Sequence, residues 1–141
     1  MECPHLLCYL NRLNRRRVAY LRQELNPHQY GGIMHLLMRY ISKHPGASQD
    51  EVREYYALDK TSVCRDARRL EELGHIRRQI DESNRRQNQL FLTEAGEAFL
   101  PVIDNAYDEF SKKLTGEMTS EELDTLIQLL KKLDANTAEG L

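Results

Sequence analysis

Residues 59–96 read DKTSVCRDARRLEELGHIRRQIDESNRRQNQLFLTEAG, and this stretch decides the fold. In its first half, apolar side chains recur at helical intervals, at Val63, Ala67 and Leu70. Asp59 is a suitable cap for the start of that helix, and Gly74 stands where a left-handed residue commonly ends one. The stretch therefore predicts a helix over residues 59–73 with one apolar side facing a core.

The second half of the stretch changes its period. Residues 75–80 and 89–92 have the length and apolar content of two short strands. The polar run 81–88 between them is a hairpin connection longer than a two-residue turn. Thr93 then caps another helix, so residues 59–96 predict helix, hairpin and helix in that order.

The flanking sequence is helical on both sides of this stretch. Ser48-Gln49-Asp50-Glu51 and Thr119-Ser120-Glu121-Glu122 are capping boxes, and Asn26-Pro27 is typical of a helix start. We expect a second helix to begin there and to stop at His44-Pro45-Gly46. Two helices joined by a short turn and followed by a hairpin form a winged helix-turn-helix. The predicted fold class is mainly α with a small β-hairpin wing (α+β), with further helices at both ends.

The whole chain of 141 residues has the length of one domain. It is 40% hydrophobic and 30% charged, and it has no apolar run long enough to span a membrane. The basic cluster near the N-terminus follows the apolar residues, the reverse of a signal peptide. Three cysteines, Cys3, Cys8 and Cys64, cannot form a closed disulfide framework. We therefore expect a cytoplasmic protein.

Charge is distributed unevenly along the chain. The net charge is −2, yet residues 60–90 hold eight basic and five acidic side chains, and residues 91–141 hold four basic and eleven acidic ones. A binding surface responds to the local field and not to the total charge. The basic excess around the predicted hairpin therefore favours a nucleic-acid partner.

The helix over 59–73 would lie in the major groove of DNA in this arrangement. The side chains that point away from its apolar side are Lys60, Thr61, Ser62, Arg65, Arg68 and Arg69. Arg65 is the candidate for base contact, because a guanidinium can pair with guanine O6 and N7, whereas Arg68 and Arg69 suit phosphates. A basic helix face alone is usually only solvated. Arg85 and Arg86 in the hairpin form a second basic cluster, and the two clusters together favour DNA contact.

At this point a family resemblance is visible. ALDKTSVCRDARRLEELGHIRR followed by DESNRRQNQLFLTEAGEAFL closely resembles the MarR family of bacterial transcription regulators. The wing of that family reads approximately D-x-x-D-R-R-x-x-x-x-x-L-T-x-x-G, and the matching residues are Asp81, Arg85, Arg86, Leu92, Thr93 and Gly96. Asn84 departs from the pattern, since it replaces the acidic residue before the arginine pair and brings no charge.

The resemblance implies a homodimeric regulator, in its usual mode a repressor, of a pseudo-palindromic double-stranded operator. Helices at about 5–25 and 119–134 would build the dimer, and about 27–93 would be the winged helix-turn-helix, with about 94–115 as the connecting helix of a single domain 1–141. The alternative is that the terminal helices pack within one chain. The resemblance also implies that Arg86 enters the minor groove.

Relatives of this kind are often released from DNA by a small effector such as an aromatic acid. The residues that could face such a cleft are Arg16, Tyr20, His28 and His35. Arginine or histidine would meet a carboxylate, and tyrosine would stack or hydrogen-bond. Each of the four could equally be an ordinary core or surface residue.

Four further possibilities are a redox regulator, a metal site, an enzyme and a protein-interaction module. A thiol-based redox regulator would use Cys8 or Cys64, although an inert thiol is the simpler interpretation of each. Cys3, His5 and Cys8 match no common zinc spacing, so we assign no metal and no cofactor. The chain has no phosphate loop, nucleophile elbow or metalloprotease signature, and we do not expect an enzyme. A winged-helix module that only contacts proteins is the remaining alternative.

Overall fold

The computed structural model describes residues 5–84 and 88–138 of the chain. Its elements, in chain order, are α1 (Leu6–Leu25), a 3₁₀ turn (Asn26–His28), α2 (Met34–Lys43), α3 (Gln49–Tyr56), α4 (Lys60–Glu72), β1 (Ile76–Ile80), β2 (Asn88–Leu92), α5 (Glu94–Thr115) and α6 (Ser120–Thr137). The strands form one antiparallel pair. The predicted fold class, mainly helical with a small hairpin, is confirmed.

Four of the predicted helix starts carry the expected caps, at Ser48, Asp59, Thr93 and Thr119. The Ser48 hydroxyl accepts the Glu51 N–H at 3.1 Å, and Asp59 Oδ2 accepts the Ser62 N–H at 2.9 Å. Thr119 makes both bonds of a capping box with Glu122. These bonds satisfy N–H groups that have no partner within their own helices.

The predicted start of the second helix at Asn26 is wrong. Asn26–His28 forms only a 3₁₀ turn, and α2 begins at Met34. Gln29 has a φ of 68° and Gly32 a φ of 53°, both in the left-handed region. Two left-handed residues cannot continue a right-handed helix, so the chain turns before α2 starts.

The chain divides into two compact units, Met1–Tyr107 and Asp108–Leu141. The core of the first unit contains the predicted inner side of α4 and apolar side chains from α1, α2, α3, both strands and α5. Its fully buried members include Leu37, Met38, Val52, Val63, Ala67, Leu70, Leu90 and Ile103. Burying one side chain of this size contributes about 1.5–3 kcal/mol, so this core fixes which side of α4 remains outside.

The hairpin is attached to the helices at its base. Leu90 exchanges backbone hydrogen bonds with the segment before α3, to Gly46 at 2.8 Å and to Ala47 at 2.9 Å. Thr93 Oγ1 donates to the Gly74 carbonyl at 2.5 Å and accepts the Gly96 N–H at 3.1 Å. The hairpin is therefore fixed relative to the C-terminal end of α4.

The second unit contains the end of α5 and all of α6. Gly116, with a φ of 38°, ends α5, and the Thr119 capping box begins α6. No residue of α6 is buried. The described part of the chain contains no helix with enough length and apolar content to cross a bilayer.

Candidate nucleic-acid interface

The outer side of α4 is polar and mostly basic. Five of the six residues predicted for DNA contact are exposed there: Lys60, Thr61, Arg65, Arg68 and Arg69. Ser62 is half-buried, and its backbone N–H is held by the Asp59 cap. Because Val63, Ala67 and Leu70 are buried on the opposite side, these cations cannot turn inward.

A carboxylate that the sequence did not single out holds two of these arginines. Asp66 is 0% exposed, while the Arg65 and Arg69 side chains are 49% and 51% exposed. Arg65 Nε lies 3.0 Å and Arg69 Nη1 3.4 Å from Asp66 Oδ1. The hydrogen bond and the charge of Asp66 raise the pKa of the Arg65 guanidinium above its ordinary value. The i, i+3 spacing of Asp66 and Arg69 in the sequence could have predicted this ion pair.

The first turn of the predicted wing is ordered by Asp81. Its Oδ1 accepts the Ser83 N–H at 3.0 Å and the Ser83 hydroxyl at 2.6 Å. These bonds lower the pKa of the Asp81 carboxyl below its ordinary value. Arg85 and Arg86, the predicted wing cations, lie outside the described residues.

β1 carries two consecutive arginines, which point to opposite faces of the hairpin. Arg77 is exposed, and its guanidinium carbon lies 4.4 Å from the centre of the Phe91 ring. Arg78 forms an ion pair with Glu71 of α4. Arg78 is thus the hairpin arginine that faces α4, whereas Arg77 lies beside Phe91, Ile41 and Pro45 on the other face.

A small cavity lies among α1, the 3₁₀ turn and the start of α2. Its volume is about 110 Å³. Its lining includes Arg17, Arg22, Tyr30, Ile33 and His35. Arg16, Tyr20 and His28 are not among its lining residues, so His35 is the one predicted effector residue that faces this cavity.

His35 is buried in a polar network. Its Nδ1 lies 2.5 Å from the Tyr107 hydroxyl, and the Arg39 guanidinium carbon lies 4.0 Å from the centre of the Tyr107 ring. Arg39 is also paired with Asp104 at 2.7 Å. Burial, together with the charges of Arg17 and Arg39, lowers the pKa of His35 to about 4. His35 is therefore uncharged at neutral pH, so it is not the cation that was predicted to meet a carboxylate.

The other predicted effector residues occupy different surroundings. Arg16 is exposed on α1, and Tyr20 is half-buried against the core. His28 is exposed and meets the edge of Phe99 with ring centres 5.2 Å apart. The structure does not bring these three residues together with His35 in the cavity.

The described cysteines, Cys8 and Cys64, are both half-buried. Cys64 lies in a groove on α4 with Arg68 and Arg78. Cys3 lies outside the described residues. Among residues 5–84 and 88–138, no three His, Cys, Asp or Glu side chains are grouped to hold a metal ion.

Comparison with known proteins places this geometry in a family. The MarR family model matches residues 32–87. The uncharacterised HTH-type transcriptional regulator YybA of Bacillus subtilis (strain 168) is 30% identical over 96 residues, which cover 68% of this chain and 64% of YybA. The crystal structure of MarR has a TM-score of 0.84 at 27% identity, with 96% of this chain and 93% of that chain covered.

A second solved structure of similar fold was determined in complex with DNA. It is a cysteine-to-serine variant of MarR from E. coli complexed with operator DNA. The two chains are 21% identical, with a TM-score of 0.78 over 89% of this chain and 90% of that one.

Proposed function

This chain belongs to the MarR family, and from that premise we propose that it is a sequence-specific, DNA-binding transcription regulator of the cytoplasm. The observation that carries the proposal is the exposed basic side of α4 beside the hairpin. An α-helix fits the major groove, and side chains on its outer side reach base edges. Arg65 is the proposed base contact, and Arg68 with Lys60 contacts phosphates.

The wing contributes the second part of the proposed contact. Arg86 enters the minor groove, where a narrow A·T-rich groove concentrates negative potential. The Asp81 bonds order the chain just after β1, and the Thr93 bonds fix the base of the hairpin to the C-terminal end of α4. The structure of the related E. coli protein with operator DNA supports the same partner class.

We propose a homodimer that represses from a pseudo-palindromic operator. Each unit exposes apolar side chains that water disfavours: Leu6, Leu7, Leu10 and Leu13 on α1, and Leu126, Ile127, Leu129 and Leu130 on α6. Several exposed leucines and isoleucines on one helix are typical of an interface. A second copy would cover both helices and would place the two α4 helices on half-sites about 34 Å apart.

The cavity beside His35 is the proposed effector site. Its volume is about 110 Å³, the order of size of a single aromatic ring. Arg17 and Arg22 supply the charge that a carboxylate needs, and neutral His35 offers a hydrogen bond. Benzoate should raise the melting temperature of the wild-type protein, and Arg17→Ala should remove that shift. An equal shift in both proteins would place the ligand elsewhere.

Selective recovery of genomic DNA tests the central proposal. Recovered fragments should share a two-fold-related sequence, and their affinity measured by fluorescence anisotropy should fall steeply with salt. The logarithm of the binding constant should fall by roughly 0.9 per phosphate contact for each unit of log salt. A flat salt dependence with no recovered consensus would instead favour the protein-interaction module.

A further inference from the structure

Asp66 lies on α4 beneath the exposed arginines, and its carboxylate is fully buried. Each of its observed partners donates a hydrogen bond to it. Oδ1 accepts from Arg65 and Arg69, and Oδ2 accepts the Ile33 backbone N–H at 2.8 Å. A buried carboxylate is tolerated only when charges and hydrogen bonds compensate for lost water. The three donors supply that compensation.

The Ile33 bond makes Asp66 a fixed point and not only a surface ion pair. Ile33 precedes α2, so a residue of α4 caps the helix packed against it. Gly32 leaves the necessary room, because a Cβ there would lie 2.5 Å from Asp66 Oδ2. The carboxylate position is therefore set by α4, which carries it, and by the backbone just before α2, which binds it.

This fixed point restricts the two arginines on the outer surface. Arg65 uses Nε for Asp66, so that bond occupies neither of its two terminal nitrogens. An unrestrained arginine samples many rotamers and must lose that freedom on binding. A guanidinium already held in place loses less, and bidentate pairing with a base tolerates little misplacement.

The same carboxylate opposes general attraction to DNA. A negative charge beside two cations weakens their field at the phosphates, and phosphate attraction is the sequence-independent part of binding. Asp66 thus has opposite effects on the two components of binding: it favours accurate base contact and disfavours non-specific contact.

We propose that Asp66 is a positioning residue that acts through Arg65 to set the preference of this protein for its operator over other DNA. The proposal rests on the proposed function, since it needs a selective DNA complex. Asp66 does not itself touch the DNA in this scheme.

The main test compares Asp66→Asn with Asp59→Asn. Both variants remove one negative charge, Asp66→Asn in the middle of α4 and Asp59→Asn at its N-cap, where asparagine keeps the cap. We expect Asp66→Asn to lower the ratio of operator to random-DNA affinity about tenfold, the order of one impaired base contact. Its affinity for random DNA should be unchanged or higher, whereas Asp59→Asn should keep the wild-type ratio.

A double-mutant cycle of Asp66→Asn with Arg65→Ala distinguishes positioning of Arg65 from a general loss of structure. If Asp66 acts through Arg65, Asp66→Asn should no longer change the ratio once Arg65 is alanine. A ratio that still falls tenfold in the Arg65→Ala background would overturn the proposal. An Asp66→Asn protein that keeps the wild-type ratio would also overturn it, and so would one whose affinities for operator and for random DNA fall by the same factor.

Gly32→Ala provides a charge-neutral second variant should Asp66→Asn not fold. Its Cβ would lie 2.5 Å from Asp66 Oδ2 and 3.3 Å from Arg65 Nη2, so it would displace the bonded pair, and its left-handed φ adds strain. Gly74→Ala is the matched control, since it has a φ of 77° and open space around the new methyl group. Gly32→Ala alone should reduce the ratio, and equal ratios in both variants would overturn the proposal. A wild-type protein that prefers no DNA sequence would overturn the proposed function itself.

Discussion

Arg65 is the side chain that we propose recognises a base in the major groove. It is half exposed, held at Nε by Asp66, and lies between the Asp59 cap and Arg69 on the outer side of α4. Arg65→Ala should weaken operator binding by about 1–3 kcal/mol and flatten the preference among operator variants. Anisotropy titrations against single-base operator variants measure both effects.

Arg12→Ala removes an arginine from α1 and is the control for lost charge. It should leave the preference among operator variants intact. If Arg65→Ala instead weakens all sequences by the same factor, Arg65 contacts phosphate and not a base.

His35 makes stability depend on pH in a defined direction. Its folded pKa is about 4 and its ordinary value is 6.5. Between these values the unfolded chain takes up a proton that the folded chain does not, so stability is complete above pH 6.5 and falls towards pH 4. The slope from this one group is at most about 1.4 kcal/mol per pH unit.

Urea unfolding at pH 7, 6 and 5 should therefore show a shallower loss for His35→Gln than for wild type. His75, whose pKa burial also lowers, would keep a remaining dependence in that variant. His28→Gln removes an exposed imidazole as the control. Identical pH profiles for wild type and His35→Gln would contradict the assignment.

At the scale of elements, Gly96 allows α5 to approach the turn between α4 and β1. A Cβ at this position would lie 2.1 Å from the His75 carbonyl oxygen, which is backbone and cannot rotate away. Gly96→Ala should therefore destabilise the fold by about 1–3 kcal/mol, although alanine is the better helix former. Urea unfolding measures the change.

Asn105→Ala introduces the same residue at an exposed position of α5 and should be neutral or slightly stabilising. A Gly96→Ala protein as stable as wild type would show that the α5 contact can relax. Circular dichroism on both variants separates lost stability from lost helix.

Elements that depend on local chemistry could be predicted from the sequence, and those that depend on distant partners could not. Asp59 and Thr119 cap helices through bonds to residues three positions further along the chain. The starts of these two helices can therefore be predicted from the local sequence. The start of α2 depends on Ile33 bonding to Asp66, which lies 33 residues further along the chain. Pairwise spacing cannot reveal such a bond.

The candidate site divides in the same way at the scale of the whole molecule. The outward arginines of α4 follow from the apolar spacing of Val63 and Leu70, because one side of a helix fixes the other. The cavity beside His35 and the Asp66 contacts needed several packed elements, and no periodicity in one segment specifies them. Arg17 rather than Arg16 faces that cavity, a difference of one residue that helical rotation decides.

The terminal helices give the last prediction, which concerns assembly. Leu10 is exposed on α1, on the same side as Leu6 and Leu13 at helical spacing. In a symmetric dimer the same surface appears on both copies, so Leu10→Glu would bury two carboxylates against apolar side chains. Sedimentation should show a dimer for wild type and a monomer for Leu10→Glu.

The same variant should bind operator DNA at least tenfold more weakly, because two linked half-site contacts become one. Asn11→Glu adds an equal charge one residue further along α1 and should stay dimeric. Because Leu10 is already exposed in the single chain, Leu10→Glu should keep the secondary structure of wild type, which circular dichroism can check. A Leu10→Glu protein that still sediments as a dimer would remove α1 from the interface, while a monomeric wild type would remove the homodimer itself.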